Sequence, residues 1–407
     1  MTKEKFIPAS SEQILEKLIA KKIEANDEKD LFKVLFTRLE HFFHYDSFAF
    51  NKKLKLNYAQ FDPDRLATER QFFETKEGLE EFRTSFNEIL FRGNFEEIDR
   101  ETIEKSFNSS DLVGLKLYID FNDFKEYKLF ARGRTKGKET IKKWIFWKKE
   151  IELEYYDRVV LYLHYNEAEH FRAKKENVDE LVFAPNTIVI KVFKRVPVND
   201  IETIFPNAEP RMSTKDKLLL WVPAIGGGVP IITAKVIPAL GKINEAYASN
   251  NVSSIEGIKT TLIQSGAILA ALGAYIFKQY GEYQTKKSEY QKLLTDSLYF
   301  KNLGNNSGAF HSLLDASEEE EIKETLLVYC FLFGSPEGSD AASLDTNIEE
   351  WFRSEFESDI DFDIHDALQK LHRIGLAEVT NGVWKAMPLK HAIKHVDEIW
   401  DGLFEEK

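Results

Sequence analysis

The sequence predicts an α+β membrane protein built from four parts: a helical N-terminal region, an antiparallel β-rich α+β domain, a two-helix transmembrane hairpin and a C-terminal winged-helix-like domain. Three observations support this prediction. Helical periodicity dominates before residue 110, short β-rich runs fill the next hundred residues, and two long apolar runs, the first interrupted by Lys235, lie in the second half. The expected boundaries are 1–110, 111–210, 218–277 for the hairpin (218–241 and 260–277), 278–334 for a helical segment, and 342–407.

Composition excludes some classes of protein. The chain has 407 residues, enough for two or three domains, and a hydrophobic content of 43% that is ample for buried cores. Its 68 acidic and 55 basic residues give a net charge of −13, which argues against a general nucleic-acid binder. The single cysteine, Cys330, lies in the apolar run LLVYCFLF and cannot form an intramolecular disulfide. The N-terminal stretch lacks an apolar core, so we expect no signal peptide.

The N-terminal region is predicted to be helical. SSEQILEKLIAKKI begins with a serine cap, and DLFKVLFTRLEHFF repeats apolar residues at helical spacing. After it, the runs LVGLKLYIDF, EYKLFARG, RVVLYLHY and NTIVIKVFKR are typical of strands. We therefore expect an antiparallel sheet with helices beside it.

Residues 131–149, ARGRTKGKETIKKWIFWKK, form a strongly basic stretch in an acidic chain. Two interpretations stay open: contact with anionic lipid headgroups, or a solvated hairpin edge protected by lysines. The candidate headgroup contacts are Arg132, Arg134, Lys136, Lys138, Lys142, Lys143, Trp144 and Trp147.

The run LLLWVPAIGGGVPIITAKVIPALGK, residues 218–242, combines three glycines with three prolines. A Walker loop needs Gly-Lys-Ser/Thr, which is absent here, so a nucleotide-binding enzyme is only a lesser alternative. The prolines instead predict a kinked or interrupted span, accommodated by helix packing or lining a transport or binding site. The residues expected to form this kink are Pro223, Gly226, Gly227, Gly228, Pro230, Lys235 and Pro238.

A second uncharged run, TTLIQSGAILAALGAYIF, covers 260–277. Basic residues flank the outer ends of the two runs, so the positive-inside rule predicts two cytoplasmic termini. Gly266, Ala270 and Ala274 are spaced by four and could let a partner helix approach closely. The alternative is a pair of buried core helices in a soluble protein.

The C-terminal segment reads helix, helix, short hairpin, helix, with Asn381 and Gly382 at the hairpin turn. From Asp340 to Lys407 it holds 7 Lys or Arg against 16 Asp or Glu. Phosphate repulsion should prevent DNA binding, so we expect a winged-helix-like domain that contacts protein.

No catalytic constellation emerges from the sequence, and we expect no metal site and no cofactor. Asp62 and Asp64 could bind a metal, but Asp-Pro-Asp is usually a turn. Asn302, Asn305 and Asn306 in NLGNNSG could hold a small ligand, although capping of a helix is favoured.

Several stretches together carry a resemblance to a known family. They include YAQFDPD, NFEEIDRETIEKSF, DFNDFKEYKLFARG, KVFKRVPVNDIETIFPNAEPRM and LTDSLYFKNLGNNSGAFHSLLD. The chain resembles the uncharacterised membrane family called domain of unknown function 3754, which is transmembrane protein 143-like. The resemblance implies two spans in the middle of the chain and brings no established activity or catalytic residues.

The sequence therefore favours an integral membrane interaction or scaffold protein over an enzyme. The alternative is a membrane-bound protein that senses or handles a lipid or an ion. Membrane lipids and a protein partner or second copy are the expected partners, and nucleic acid is not. The expected location is a bacterial inner membrane rather than a mitochondrial one.

Overall fold

The computed structural model describes residues 3–103, 115–144, 147–175, 177–178, 181, 183–212, 226, 229–240, 242 and 252–403. These residues form two compact units. The first comprises Met1–Thr102, Phe121–Val198 and Lys301–Lys407, and the second comprises Ile103–Asp120 and Asn199–Phe300. Each unit is described separately below.

The helices of the first unit begin close to the N-terminus. Ser10 starts helix α1 with a capping box, because its hydroxyl accepts a hydrogen bond from the Gln13 backbone N–H while the Gln13 side chain accepts one from the Ser10 backbone. Later helices carry apolar stripes that face the core. The helices are α1 (Ser11–Lys22), α2 (Asn26–Tyr58), α3 (Ala67–Phe72), α4 (Gly78–Arg92) and α5 (Ala168–Ala173).

An antiparallel five-stranded sheet forms the centre of this unit. Its strands are β1 (Glu96–Glu97), β3 (Phe124–Trp144), β4 (Trp147–Tyr165), β5 (Ile188–Pro197) and β7 (Asn302–Asn305), in that spatial order. The runs EYKLFARG and the basic stretch belong to one long strand, β3, which pairs with β4 from Phe124 opposite Tyr165 to Trp144 opposite Trp147. Alternate residues of β4 and β5 pack against α2 and α4 in one hydrophobic core.

One helix joins this sheet to the C-terminal elements. Helix α7 (Ala309–Phe333) contributes Phe310 and Leu313 to the sheet core, and its second half enters another core with α1, α2 and the C-terminal helices. The remaining elements are α8 (Ala341–Phe356), α9 (Ile364–Arg373), β8 (Ala377–Thr380), β9 (Val383–Ala386) and α10 (Leu389–Gly402).

The C-terminal hairpin has the turn that its sequence requires. Asn381 and Gly382 have φ angles of 50° and 81°, so both lie in the left-handed region that two-residue hairpin turns use. Ser339 forms a further bridge to Trp384 on β9. The observed order is thus helix, helix, hairpin, helix, with one extra bridging residue beside the hairpin.

The second unit contains a short sheet and one long helix. Strand β2 (Leu115–Tyr118) pairs antiparallel with β6 (Glu209–Met212). A three-residue helix, Val229–Ile231, continues into a π-helical segment, Ile232–Val236. Helix α6 (Val252–Lys301) has 50 residues, so it is about 75 Å long at 1.5 Å per residue.

The prediction of a transmembrane hairpin is wrong. Within the ranges that the structure describes, no helix combines the length and the apolar character that crossing a membrane requires. The run at 260–277 is the middle of α6, where Lys259 and Lys278 limit it on both sides and Gln264 and Ser265 interrupt it. In the run at 218–241, the structure describes residue 226 and the helical stretch 229–240.

Three further expectations are wrong for the same reason. The membrane fold class, the integral membrane function and the inner-membrane location with two cytoplasmic termini all depended on the two spans. The finding on the described helices contradicts each of them. The remainder of the fold combines helices with antiparallel sheet.

Candidate functional site

The residues expected to form a kinked span are only partly described. Pro230 lies in the short helix Val229–Ile231, and Lys235 lies in the π-helical segment that follows it. Pro238 is exposed, and a Cβ added to Gly226 would meet no atom within 4 Å. Pro223, Gly227 and Gly228 lie outside the described residues. The π-helical turn is a departure from regular helix within this run.

The basic hairpin divides into a buried and an exposed part. Arg132 is only 8% exposed; its Nη1 donates hydrogen bonds to the carbonyl oxygens of Gly93 (2.9 Å) and Ala316 (3.3 Å). Arg134 and Lys136 are exposed, and Arg134 donates to the Tyr156 hydroxyl at 2.9 Å. Arg132 therefore belongs to the protein interior rather than to an exposed basic surface.

The other candidate headgroup contacts lie further along the hairpin. Lys138, Lys142, Lys143 and Trp144 are on β3, and Trp147 begins β4. Their side chains lie outside the part of the chain that the structure describes.

The two polar motifs that the sequence singled out separately come together in space. Asn306 donates from Nδ2 to the Asp64 carboxylate at 2.9 Å, although the two residues are 242 positions apart. The Asn306 Oδ1 accepts from the Ile190 backbone N–H at 3.4 Å and lies 3.5 Å from the Tyr58 hydroxyl. Asn306 is buried with a φ of 51°, a conformation that asparagine tolerates better than most residues.

Asp62 adds a turn to this cluster. Its Oδ1 accepts a hydrogen bond from the Asp64 backbone N–H at 3.0 Å, which is the Asx turn that Asp-Pro-Asp favours. Burial raises the pKa of the Asp62 carboxyl, while the hydrogen bond from Asp64 opposes that shift. The cluster joins α2, β5 and the start of α7, so its arrangement is that of a structural joint. No group of three or more metal-binding side chains occurs among the residues with described positions.

The side chains of Asn302 and Asn305 form a hydrogen bond with each other at the edge of the sheet. The Asn302 Oδ1 accepts from the Gly304 backbone N–H, and its Nδ2 donates to Asn305 Oδ1, both at 2.9 Å. Asn305 pairs with Lys191 on β5. These contacts fix the short strand β7 just before α7.

The sequence analysis missed a cluster of buried charges on α7. The run SEEEEIKE, residues 317–324, resembles a solvent-facing helix, yet four of its charged side chains are buried. These residues are Glu320, Glu321, Lys323 and Glu324. The available sequence signal is that this run passes without a break into LLVYCFLF within one helix. Burial of a charge is costly unless it is paired, so each of these residues requires a partner.

Cations from distant parts of the chain provide the partners. The Lys370 ammonium on α9 lies 2.5 Å from Glu324, 3.1 Å from Glu321 and 2.6 Å from Asp366. Lys323 lies 2.9 Å from Glu320, and Arg132 lies 3.7 Å from the same carboxylate. The cluster thus joins α7 to β3 on one side and to α9 on the other.

These contacts shift the pKa values of the cluster. Burial raises the pKa of the Glu324 carboxyl to about 7, although Lys370 and Asn94 favour its charged form. Burial alone would lower the pKa of Lys370, but Glu324, Glu321 and Asp366 raise it above its usual value. Lys370 is therefore held as a cation, and Glu324 titrates near neutrality.

The N-terminal segment, residues 3–11, closes over this cluster. The Ile7 backbone N–H donates to Glu320 at 3.2 Å, and its carbonyl accepts from Lys323 at 3.1 Å. The Ser11 N–H donates to Glu319 at 2.8 Å. Glu4 forms a parallel bridge with Ile360. Backbone groups of the segment thus form hydrogen bonds with the buried Glu320 and Lys323 and with the partly exposed Glu319.

A polar cavity of about 440 Å³ lies beside the same segment. Its walls come from the N-terminal segment, from β1 with the residues that follow it, and from β3. Among its lining residues Arg132 is buried, whereas Glu96 and Asp99 are exposed, and Glu4 accepts a hydrogen bond from the Arg134 backbone N–H at 3.0 Å.

A second groove of about 440 Å³ lies between α2 and α10. His41 and Trp400 face each other across it, with ring centres 6.0 Å apart. Arg38 already pairs with Asp397 at 3.1 Å and donates to the Ile393 carbonyl at 2.7 Å. The charges of this groove are thus engaged within the chain, and its geometry does not indicate a particular ligand.

Helix α6 of the second unit carries exposed apolar side chains. Phe277 is 79% exposed and Ile263 is 63% exposed. Four positions between and beyond them continue one helix face at spacings of three and four. This α6 face consists of Ile263, Ala267, Ala270, Ala274, Phe277 and Gly281. A different set of positions, including Leu262, Leu269 and Ile276, is partly covered.

Comparison with models of protein families gives a match. The model of a protein family of unknown function, DUF3754, matches residues 156–308. No solved structure matches the chain. The matched range runs from β4 through α6 to Asn306, so it includes the α6 face. This confirms the resemblance inferred from the sequence: residues 156–308 are similar to the DUF3754 family of unknown function.

Proposed function

We propose that this chain is a self-associating interaction protein whose α6 face binds the same face of a second copy. One observation carries the proposal: an uncharged stretch of a long helix exposes large apolar side chains, among them Ile263 and Phe277. Exposed apolar surface of this kind marks an interaction site in many proteins.

The spacing of the α6 face supports a helix as the occupant. Its positions recur at intervals of four and three, the repeat that keeps two helices in contact along a shared seam. Alanine at the three middle positions permits close approach of two backbones. The larger Ile263 and Phe277 flank these three alanines.

The sequence of the face also favours a second copy of the chain. In an antiparallel pair centred on Ala270, Ile263 of one copy lies opposite Phe277 of the other. The same contact then occurs twice, related by a two-fold axis, so the surface is complementary to itself. Burial of Ile263 and Phe277 from both copies supplies the main apolar contribution to the stability of such a pair.

Sedimentation equilibrium of the full chain, over about a hundredfold range of concentration, tests this proposal. We expect a wild-type dimer that Ala270→Glu converts to a monomer, because two carboxylates would meet at the centre of the seam. Gln291→Glu, which adds the same charge at an exposed position of α6 beyond the face, should leave the dimer intact.

Cross-linking tests the geometry. The native Cys330 is buried, so Ala270→Cys adds an exposed thiol to a chain whose own thiol is inaccessible. Oxidation should link Ala270→Cys copies and should not link Ala274→Cys copies, because only position 270 meets itself in the antiparallel pair. Cross-linking at both positions would contradict that register. A monomeric wild-type chain, or flotation of the chain with neutral phosphatidylcholine vesicles, would refute the proposal itself.

A further inference from the structure

Two neighbouring carboxyl groups on α7 contact the same buried cation. Glu321 and Glu324 lie three positions apart on this helix, and both residues are buried. The Lys370 ammonium contacts both of them and a third carboxylate, that of Asp366. One positive charge thus faces three negative charges where little water screens them. Ionisation of all three carboxyl groups at once is therefore unfavourable.

One oxygen of this pair is an unused acceptor. The Glu321 Oε2 atom is buried and has no hydrogen-bond partner among the residues with described positions, whereas its Oε1 contacts Lys370. A protonated Glu324 has an O–H to donate, and a neighbouring carboxylate is a strong acceptor for it. Burial raises the pKa of the Glu324 carboxyl to about 7, and the charge of Glu320 adds to that shift. The pair is thus suited to retain one proton near neutral pH.

Asn94 connects this pair to the N-terminal segment. Its Nδ2 lies 2.9 Å from Glu324, 3.1 Å from Glu320 and 3.3 Å from the Lys5 carbonyl oxygen. An amide nitrogen carries two N–H groups, so these three acceptors compete for them. An ionised Glu324 is a stronger acceptor than a neutral one, so both N–H groups then bind carboxylates. The Lys5 carbonyl loses its Asn94 donor in that state.

The other attachments of the segment involve the same charges. The Ile7 backbone N–H donates to Glu320 and its carbonyl accepts from Lys323, so both contacts depend on how these charges are arranged. Most of the segment belongs to neither a helix nor a strand, and Glu4 forms an isolated bridge to Ile360. Its detachment therefore breaks few regular backbone hydrogen bonds, which makes it a local opening of low cost.

Charged groups face the pair from each element that contacts it or its charged neighbours. They are Glu320 and Lys323 on α7, Lys370 and Asp366 on α9, Arg92 on α4 and Arg132 on β3. The pKa of Glu324 is raised to about 7, so the charge of this carboxyl changes close to neutral pH.

We propose that Glu321 and Glu324 form a proton-binding site whose bound proton keeps the N-terminal segment attached over the charges of α7. Release of the proton to solvent adds a buried negative charge and takes the Asn94 donor from the Lys5 carbonyl. The segment then detaches and admits water to the carboxylates. This site lies in the first unit and does not depend on the association proposed for α6.

Hydrogen exchange of the full wild-type chain, followed by mass spectrometry, tests the proposal. Exchange is measured from about pH 6 to about pH 8.5 and corrected for the intrinsic effect of pH on amide exchange. We expect peptides that cover the N-terminal segment to lose protection as the pH rises through about 7. Peptides from β5 should stay protected, because the detachment is local. Protection of the segment that does not change with pH, or a parallel loss in β5, overturns the proposal.

Substitutions on α7 assign the proton. Glu324→Gln keeps a neutral side chain that can donate to Glu321 and accept from Asn94, so the segment should stay protected over the whole pH range. Glu321→Gln removes a neighbouring negative charge, so the loss of protection should move to lower pH by about one unit. Glu318→Gln is the matched control, because Glu318 lies on the same helix and contacts His44 at 3.3 Å; it should leave the transition unchanged.

Each variant can contradict the assignment. A transition that persists unchanged in Glu324→Gln overturns the role of this carboxyl. Glu321→Gln gives an independent test if Glu324→Gln does not fold, because a transition at the same or a higher pH overturns the shared site. A shift in Glu318→Gln equal to that in Glu321→Gln overturns the proposal as well, since any carboxyl of α7 would then have the same effect.

Discussion

Replacement of Lys370 by methionine should destabilise the first unit strongly. The Lys370 ammonium is buried and lies within 3.1 Å of three carboxylates, those of Glu321, Glu324 and Asp366. Methionine fills a similar volume, so the main loss is the charge. The Glu321 carboxylate then stays buried without a cation, and Glu324 must take up a proton or lose its partner.

The size of the effect follows from that burial. Removal of one partner from a buried ion pair costs about 3–5 kcal/mol, because the remaining charge has lost both water and its counterion. At about 2 °C per kcal/mol for a large domain, the melting temperature should fall by about 6–10 °C. Lys394→Met on α10 removes an exposed lysine that pairs with Glu398 at 2.9 Å, and it should change the melting temperature little.

Differential scanning calorimetry of both variants at neutral pH measures the difference. Adding Glu324→Gln to Lys370→Met should recover part of the loss, because the neutral amide needs no counterion and can still contact Asn94. Equal melting temperatures for Lys370→Met and Lys394→Met would refute the argument that the buried charges of α7 depend on Lys370.

Three further predictions concern individual residues. Because the pKa of Glu324 is raised in the native state, the folded chain holds a proton that the unfolded chain releases above about pH 4.5. The contribution of Glu324 to the free energy of unfolding, about 3 kcal/mol, is therefore complete below that pH and is lost as the pH rises through about 7. Glu324→Gln should flatten the dependence of the melting temperature on pH in that interval. Asn306→Asp should lower the melting temperature, since it replaces the donor to Asp64 with a second carboxylate, and Asn305→Asp at an exposed position should not. Gly133→Ala should destabilise more than Gly382→Ala in urea titrations, because both glycines have positive φ but only at Gly133 would the new Cβ lie 2.9 Å from Phe6.

Local sequence patterns were sufficient where the deciding contacts are short-range. The cap at Ser10 and the turn at Asn381–Gly382 depend on neighbours within a few residues, and the structure shows both. The alternation in RVVLYLHY and NTIVIKVFKR likewise specifies strands that pair along their length. The register between the EYKLFARG strand and its partner was harder to predict from sequence, because β3 continues through charged residues that resemble a linker.

Apolar composition alone misled the analysis in the middle of the chain. The run at 260–277 has no charged residue, which suggested a span, but helix formation continues through Lys278 and beyond to Lys301. A window of sequence reports how apolar a segment is and does not report where its helix begins and ends. The same composition is compatible with an exposed helix face that another helix covers.

The buried charges of α7 could not be predicted from the run SEEEEIKE itself. Four glutamates in succession normally indicate a solvent-exposed helix. The cations that compensate the burial of these carboxylates are distant in sequence, since Arg132 lies on β3 and Lys370 lies on α9. The sequence analysis assigned Arg132 to a basic hairpin, and Lys370 lies in the segment that was predicted to be winged-helix-like. Because α7 also contributes apolar residues to both cores, its charged stretch is fixed where sheet and C-terminal helices meet. Loss of any one partner should therefore disturb elements on both sides of α7, a coupling that no single segment of the sequence encodes.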